Sequence, residues 1–125
     1  MEKGVNKLKD ALINILKSFE YPIFLQGAIV KDESYPPFFF TFWNFATDLD
    51  SFYDNDSHRH IWRFEVNFYG VDPRTVESVM SDALSLLKIN GWTLTELPHD
   101  VASDEDTHTG RGAEVIFLDP IIKYH

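Results

Sequence analysis

The run Phe38-Phe39-Phe40-Thr41-Phe42-Trp43-Asn44-Phe45 constrains this chain more than any other segment. It has strand propensity, and its two alternating sets, Phe38/Phe40/Phe42 and Phe39/Thr41/Trp43/Phe45, are both apolar. Successive side chains of a strand point to opposite faces of the sheet, so both faces need cover here. One layer of helices covers one face. The other face needs something else, such as another subunit. Packing so many rings takes a real core. At 125 residues roughly two thirds of the unfolded surface can be buried. Hydrophobic residues make up 44% and aromatics 15%, which excludes disorder of the whole chain. One domain over residues 1–125 is the expectation at this length.

Val5, Leu8, Leu12, Ile15, Leu16 and Phe19 fall on one helical stripe, which predicts a helix over about residues 4–19. Tyr21, held extended by the following Pro22, ends it. Ile23 to Val30 suggests a first strand, residues 31–34 a polar turn, and residues 38–45 a second strand. Residues 47–58 read as an acidic turn. From His60 to Tyr69 the alternation is clear: Trp62, Phe64, Val66 and Phe68 point one way, Arg63, Glu65 and Asn67 the other. Asp72-Pro73 is a helix start with an N-cap and a proline at the first helical position. Val76, Val79, Met80, Ala83, Leu84 and Leu87 form its apolar stripe, and Asn90-Gly91 its end. Residues 92–97 form a short strand, residues 98–112 a polar, acidic loop, and residues 113–118 the last strand. The order is α-β-β-β-α-β-β. It predicts a single α+β domain with a mainly antiparallel, four- to five-stranded sheet packed against two helices.

Lys and Arg number 11 and Asp and Glu 20, a formal charge of −9. That balance argues against gripping nucleic-acid phosphates over a broad face, yet suits a protein past which DNA must move without adhering. The surplus gathers in two predicted loops: Asp48, Asp50, Asp54 and Asp56 in one, Glu96, Asp100, Asp104, Glu105 and Asp106 in or beside the other. The chain holds no cysteine, so disulfides, thiol nucleophiles and Cys-ligated metal centres are excluded. The N-terminus lacks the apolar stretch of a signal peptide, and no run is long enough to span a bilayer. The expectation is a soluble protein made in the cytoplasm.

His58 and His60 share a strand face with Trp62, while His99 and His108 lie in the long loop among carboxylates. A His-x-His pair plus a carboxylate is a possible metal set. Nothing here has the spacing of a known ligand set, and the expectation is no metal and no cofactor. Asp48-x-Asp50 and Asp54-x-Asp56 lack the glycine of a calcium loop and are read as a solvated turn. Thr107-His108-Thr109-Gly110-Arg111-Gly112 is too short in its glycine spacing for a phosphate loop, and a strand rather than a helix follows. Its glycines suggest tight turns on re-entry to the sheet. No strained serine elbow stands out, so no catalytic residue is assigned and an enzyme is not expected.

Trp62-Arg63-Phe64-Glu65-Val66-Asn67-Phe68-Tyr69-Gly70 is followed by Asp72-Pro73, an amphipathic helix and Lys88-x-x-Gly91-Trp92. A loop follows that reads Asp100-Val101-Ala102-Ser103-Asp104 and, further on, Thr107-His108-Thr109-Gly110-Arg111-Gly112. Together these resemble small tail-region proteins of long-tailed bacteriophages and of prophages of Gram-positive bacteria. The element order is similar to the tail-terminator, or tail-completion, family, of which the lambda minor tail protein U is the familiar member. The resemblance covers nearly the whole chain, and its motifs lie at residues 62–112. It implies a structural virion protein: a hexameric ring that caps the tail tube and offers a surface to the DNA-filled head. The implied partners are further copies of the chain, the tail tube protein and head-connector proteins. DNA passes without being specifically bound, and no membrane is involved. The implied location is the tail or neck of the virion, assembled in the bacterial host cytoplasm.

On that reading the contact residues are Asp48, Asp50, Asp54 and Asp56 of the acidic turn, with Asp100, Asp104, Asp106, His108 and Arg111 of the loop. Arg111 is the best single candidate for an ion pair with a neighbour, since arginine is the favoured interface cation. An ion pair with carboxylates of its own loop is an equally weighted alternative. Two rival readings are a small acidic module that occupies a basic partner, and a metal-dependent enzyme using the histidines. Self-association, a basic partner and stoichiometric metal separate the three.

Overall fold

The computed structural model describes residues 2–25, 35–51, 57–118 and 122–123. Helix α1 spans Glu2–Leu16 and tightens into a 3-10 turn at Lys17–Phe19. Glu20 closes that turn in the left-handed region (φ 65°), its N–H donating to the Lys17 carbonyl. The strands are β1 (Ile23–Leu25), β2 (Phe38–Ser51) and β3 (Ser57–Gly70). Helix α2 (Pro73–Ile89) follows, then β4 (Thr93–Leu94), β5 (His99–Val101), β6 (Thr109–Leu118) and β7 (Ile122–Lys123).

The sheet order is β1-β2-β3-β6-β4, with β5 also on β6 and β7 also on β3. Strands β4 and β5 meet successive stretches of the same β6 strand, Ile116/Val115 and then Gly112–Gly110. They act as one interrupted edge strand. Strand β7 meets β3 beyond the end of β6, so those two also share one position in the sheet. The architecture is therefore the expected α+β domain with a sheet five strand positions wide. All pairings are antiparallel except β1 with β2.

Both helices cover one face. Leu8, Leu12 and Leu16 of α1 and Val76, Met80, Ala83, Leu84 and Leu87 of α2 pack against Phe40, Phe42, Trp62, Phe64, Val66, Phe68, Ala113 and Val115. This burial of aliphatic and aromatic surface is the main stabilising term of the domain. The ends of α2 are fixed as expected. Asp72 accepts from the Arg74 N–H at 3.2 Å and from the Thr75 hydroxyl at 2.8 Å. At the other end Gly91 takes φ 94°, its N–H reaches the Lys88 carbonyl, and the Trp92 N–H reaches that of Leu87. That is the Schellman arrangement, and it places Trp92 in the core.

Two expectations are corrected. Residues 47–51 and 57–58 are not turn: they extend β2 and β3 into a long antiparallel ladder, with Asp48 opposite Ile61 and Asp50 opposite Arg59. Aspartate has low strand propensity, but Asp48-Leu49-Asp50 keeps the two-residue period and the ladder overrides the propensity. Asp54 and Asp56 lie outside the described residues. The second correction concerns residues 98–112, which are not a structureless loop. Residues 99–101 pair with residues 110–112, leaving only residues 102–108 as the connection.

Gly110, Arg111 and Gly112 are accordingly strand residues, and the glycines serve space rather than turning. A Cβ at Gly112 would collide with Asn67 Oδ1, and one at Gly110 would meet the Tyr69 ring and Val101.

Candidate interaction surface

Strand alternation sends Phe39, Thr41 and Trp43 of β2 and Arg63, Glu65, Asn67 and Tyr69 of β3 to the face away from the helices. That face has two unlike halves.

The first half is closed by the chain itself. Phe39 is buried against Phe24 (5.9 Å between ring centroids), Tyr35 (5.6 Å) and Tyr69 (5.2 Å, stacked). The 102–108 connection lies against this cluster. His108 packs tilted against Phe39 (5.9 Å) and edge-on to Tyr35 (6.0 Å), and its Nε2 lies 2.8 Å from the Pro36 carbonyl. The Tyr35 hydroxyl donates to Asp104 at 3.4 Å. Burial, with the Asp104 carboxylate beside it, raises the Tyr35 pKa above its ordinary value. Burial also raises that of Tyr69, against a hydrogen bond with Thr41 that acts the other way. The cover expected for the second aromatic set of β2 is thus supplied here from within the chain.

The second half is open. Trp43 and Phe45 are each 41% exposed, their rings 6.0 Å apart at 46°. The ladder register shifts between Asn44 and Ala46, so Phe45 is the extra residue of a bulge. Asn44 holds the bulge by donating to the carbonyls of Ala46 and Arg63, both at 2.9 Å. A groove of about 420 Å³ runs beside these rings, lined also by Glu65, Glu96, His99 and Glu114. Trp43 Nε1 donates to Glu65 at 2.8 Å and Arg63 pairs with Glu114 at 2.6 Å. Glu96 accepts from the Glu114 N–H at 3.1 Å and lies 3.5 Å from His99 Nδ1.

The residues singled out by sequence fall in different places. Arg111 faces the helix side, where Nη1 pairs with Asp100 at 2.9 Å and Nη2 donates to the Pro98 carbonyl at 3.0 Å. Its pairing is with its own chain. Asp104 and His108 likewise anchor the connection, while Asp106 is exposed. Asp48 and Asp50 sit at the far end of β2. Among the described side chains the histidines are dispersed: His60 lies against Trp62 (5.6 Å), His99 in the groove and His108 in the aromatic cluster. Among the described residues no three His, Asp or Glu side chains are placed to hold a metal ion. Among the same residues no helix is long and apolar enough to cross a membrane.

The groove residues Trp43, Phe45, Glu65, Glu96 and Glu114 were not among the contact residues named from the sequence. The signal for them was present in part, since Trp43 and Phe45 belong to the aromatic set left without helix cover. No protein-family model and no curated protein matches this chain.

Proposed function

We propose that this chain is a structural subunit of a long-tailed phage or prophage: a tail terminator or head–tail joining protein that closes the tail tube as an oligomeric ring, six-fold by the family resemblance. The observation that carries the reading is the one-sided α+β layer. Helices cover one sheet face, while the far half of the other face presents Trp43 and Phe45 to solvent. Exposed aromatics of this kind suit a contact with the tail tube or a head-connector protein, since aromatic residues are enriched in interface cores. The interrupted β4/β5 edge supplies a further margin of the sheet for contacts. The excess of negative charge suits a ring around a DNA passage, because repulsion keeps phosphates from adhering. The ring number, the tail tube and head-connector partners and the virion location follow from the resemblance. Nothing in the reading calls on catalysis, a metal or a cofactor.

The test is deletion of the gene in the phage or prophage that carries it. The expected result is tails of irregular length that fail to join filled heads, restored by the gene supplied in trans. Tails of normal length that join heads efficiently would end the proposal.

A further inference from the structure

We propose that the Trp43/Phe45 groove is a socket for an arginine side chain on a basic segment of a partner protein. The proposal does not depend on ring assembly.

The groove brings like charges together at a cost to the sheet. Glu65 and Glu114 stand directly opposite each other on β3 and β6. Directly opposed residues bring their Cβ atoms to about 5 Å, and like charges placed there destabilise a sheet. Glu96 adds a third carboxylate to the same groove. Among the described residues the groove sets against these three Arg63, engaged with Glu114, and His99, which is charged only when protonated. Each carboxylate has a partner within the chain, Trp43 Nε1 for Glu65, Arg63 for Glu114 and the Glu114 N–H for Glu96, and the rim beside the two exposed rings stays acidic. Such a rim is complementary to a cation.

The chemistry of the walls selects the kind of cation. The described residues hold no set of three His, Asp or Glu able to bind a metal ion, so these carboxylates are not arranged as a metal cage. Trp43 and Phe45 instead offer π faces, which attract organic cations and stack on a planar guanidinium. The hydrogen bond from Trp43 Nε1 to Glu65 orients the indole toward the carboxylates. A ring face and neighbouring carboxylates together match the flat, forked guanidinium better than a compact ammonium.

A second copy of this chain is the weaker occupant. The two half-exposed rings offer on the order of 100 Å² each, while a stable interface buries about 800 Å² per partner. Two acidic faces would also repel, whereas a basic segment is complementary in charge.

The experiment is a 1H–15N NMR titration of the full chain with a blocked pentapeptide, Gly-Arg-Gly-Arg-Gly, and with its citrulline counterpart. Citrulline keeps the planar shape and removes the charge. The expected result is saturable shifts at the Trp43 indole N–H and the amides of Glu65, Glu96 and Glu114. Affinity should fall about tenfold for the citrulline peptide and for Trp43→Ala, and by a similar factor for Glu65→Gln combined with Glu96→Gln. Trp43 and Glu96 are exposed, so these variants should keep the dispersed spectrum of the folded chain. Three outcomes overturn the proposal. One is shifts of equal size at Asp104, Glu105 and Asp106, unaltered by Trp43→Ala, which would mean diffuse attraction to an acidic protein. Another is equal binding of the citrulline peptide. The last is groove shifts that follow protein concentration without peptide, which would make the face a self-contact.

Discussion

Asn67 and Gly112 face each other across β3 and β6. Asn67 is buried, its amide nitrogen lies 3.5 Å from the Thr41 hydroxyl, and its Oδ1 finds no hydrogen-bond partner. The oxygen occupies the space that any side chain at residue 112 would need. Gly112→Ala must therefore displace Asn67 or spread the two strands. It should cost about 2 kcal/mol, the range of overpacked interiors. Denaturant unfolding checks this, with the midpoint expected to fall and the slope to stay unchanged. Asn67 and Gly112 also mark where sequence reading runs short. Gly-Arg-Gly looks like a loop because glycine is depleted in strands, and only the partner strand shows that its use here is close approach. Arg111 is a similar case. Composition offers it as an interface cation or as a partner for its own loop, and the fold gives it Asp100 and the Pro98 carbonyl.

Elements with strong local signals read well. The α2 stripe, its Asp72-Pro73 start and its Asn90-Gly91 end lie in seventeen helical residues and their flanks, where capping and periodicity agree. The alternation of β3 named the core residues Trp62, Phe64, Val66 and Phe68. Strand β5 was illegible. Three polar-leaning residues, His99-Asp100-Val101, carry no periodic signal, and their state is decided by pairing with residues 110–112. The 102–108 connection of the β5–β6 hairpin is in turn held over the sheet face by a few contacts. His108 contributes ring packing and the approach to the Pro36 carbonyl. His108→Ala should loosen residues 102–108 selectively. Their amide hydrogen exchange should rise by about tenfold while that of α2 and β3 stays as before. A uniform rise across the sheet would mean the connection unfolds only with the global core instead.

At the scale of the whole molecule the first aromatic run carried the right demand and half of the answer. Both faces of β2 do meet apolar surface near Phe39 and Phe40, and the cover on the second face comes from the chain's own Tyr35, Phe24 and His108. Only past Thr41 does that face remain open. The charge follows the same pattern of revision. Asp48, Asp50 and Asp100 sit on strands, not in loops, and Glu65, Glu96 and Glu114 add a carboxylate group in the middle of a sheet face. Neither the groove nor the edge assignments could be read without the register, because residues distant in sequence form them.

The proposed assembly is tested most directly by the mass of the particle the chain forms. Light scattering across concentration, alone and with purified tail tubes, should report a closed oligomer, with negative-stain images showing rings of one size. A species that remains monomeric at every concentration, and that neither adds to tail tubes nor closes upon them, would contradict the account.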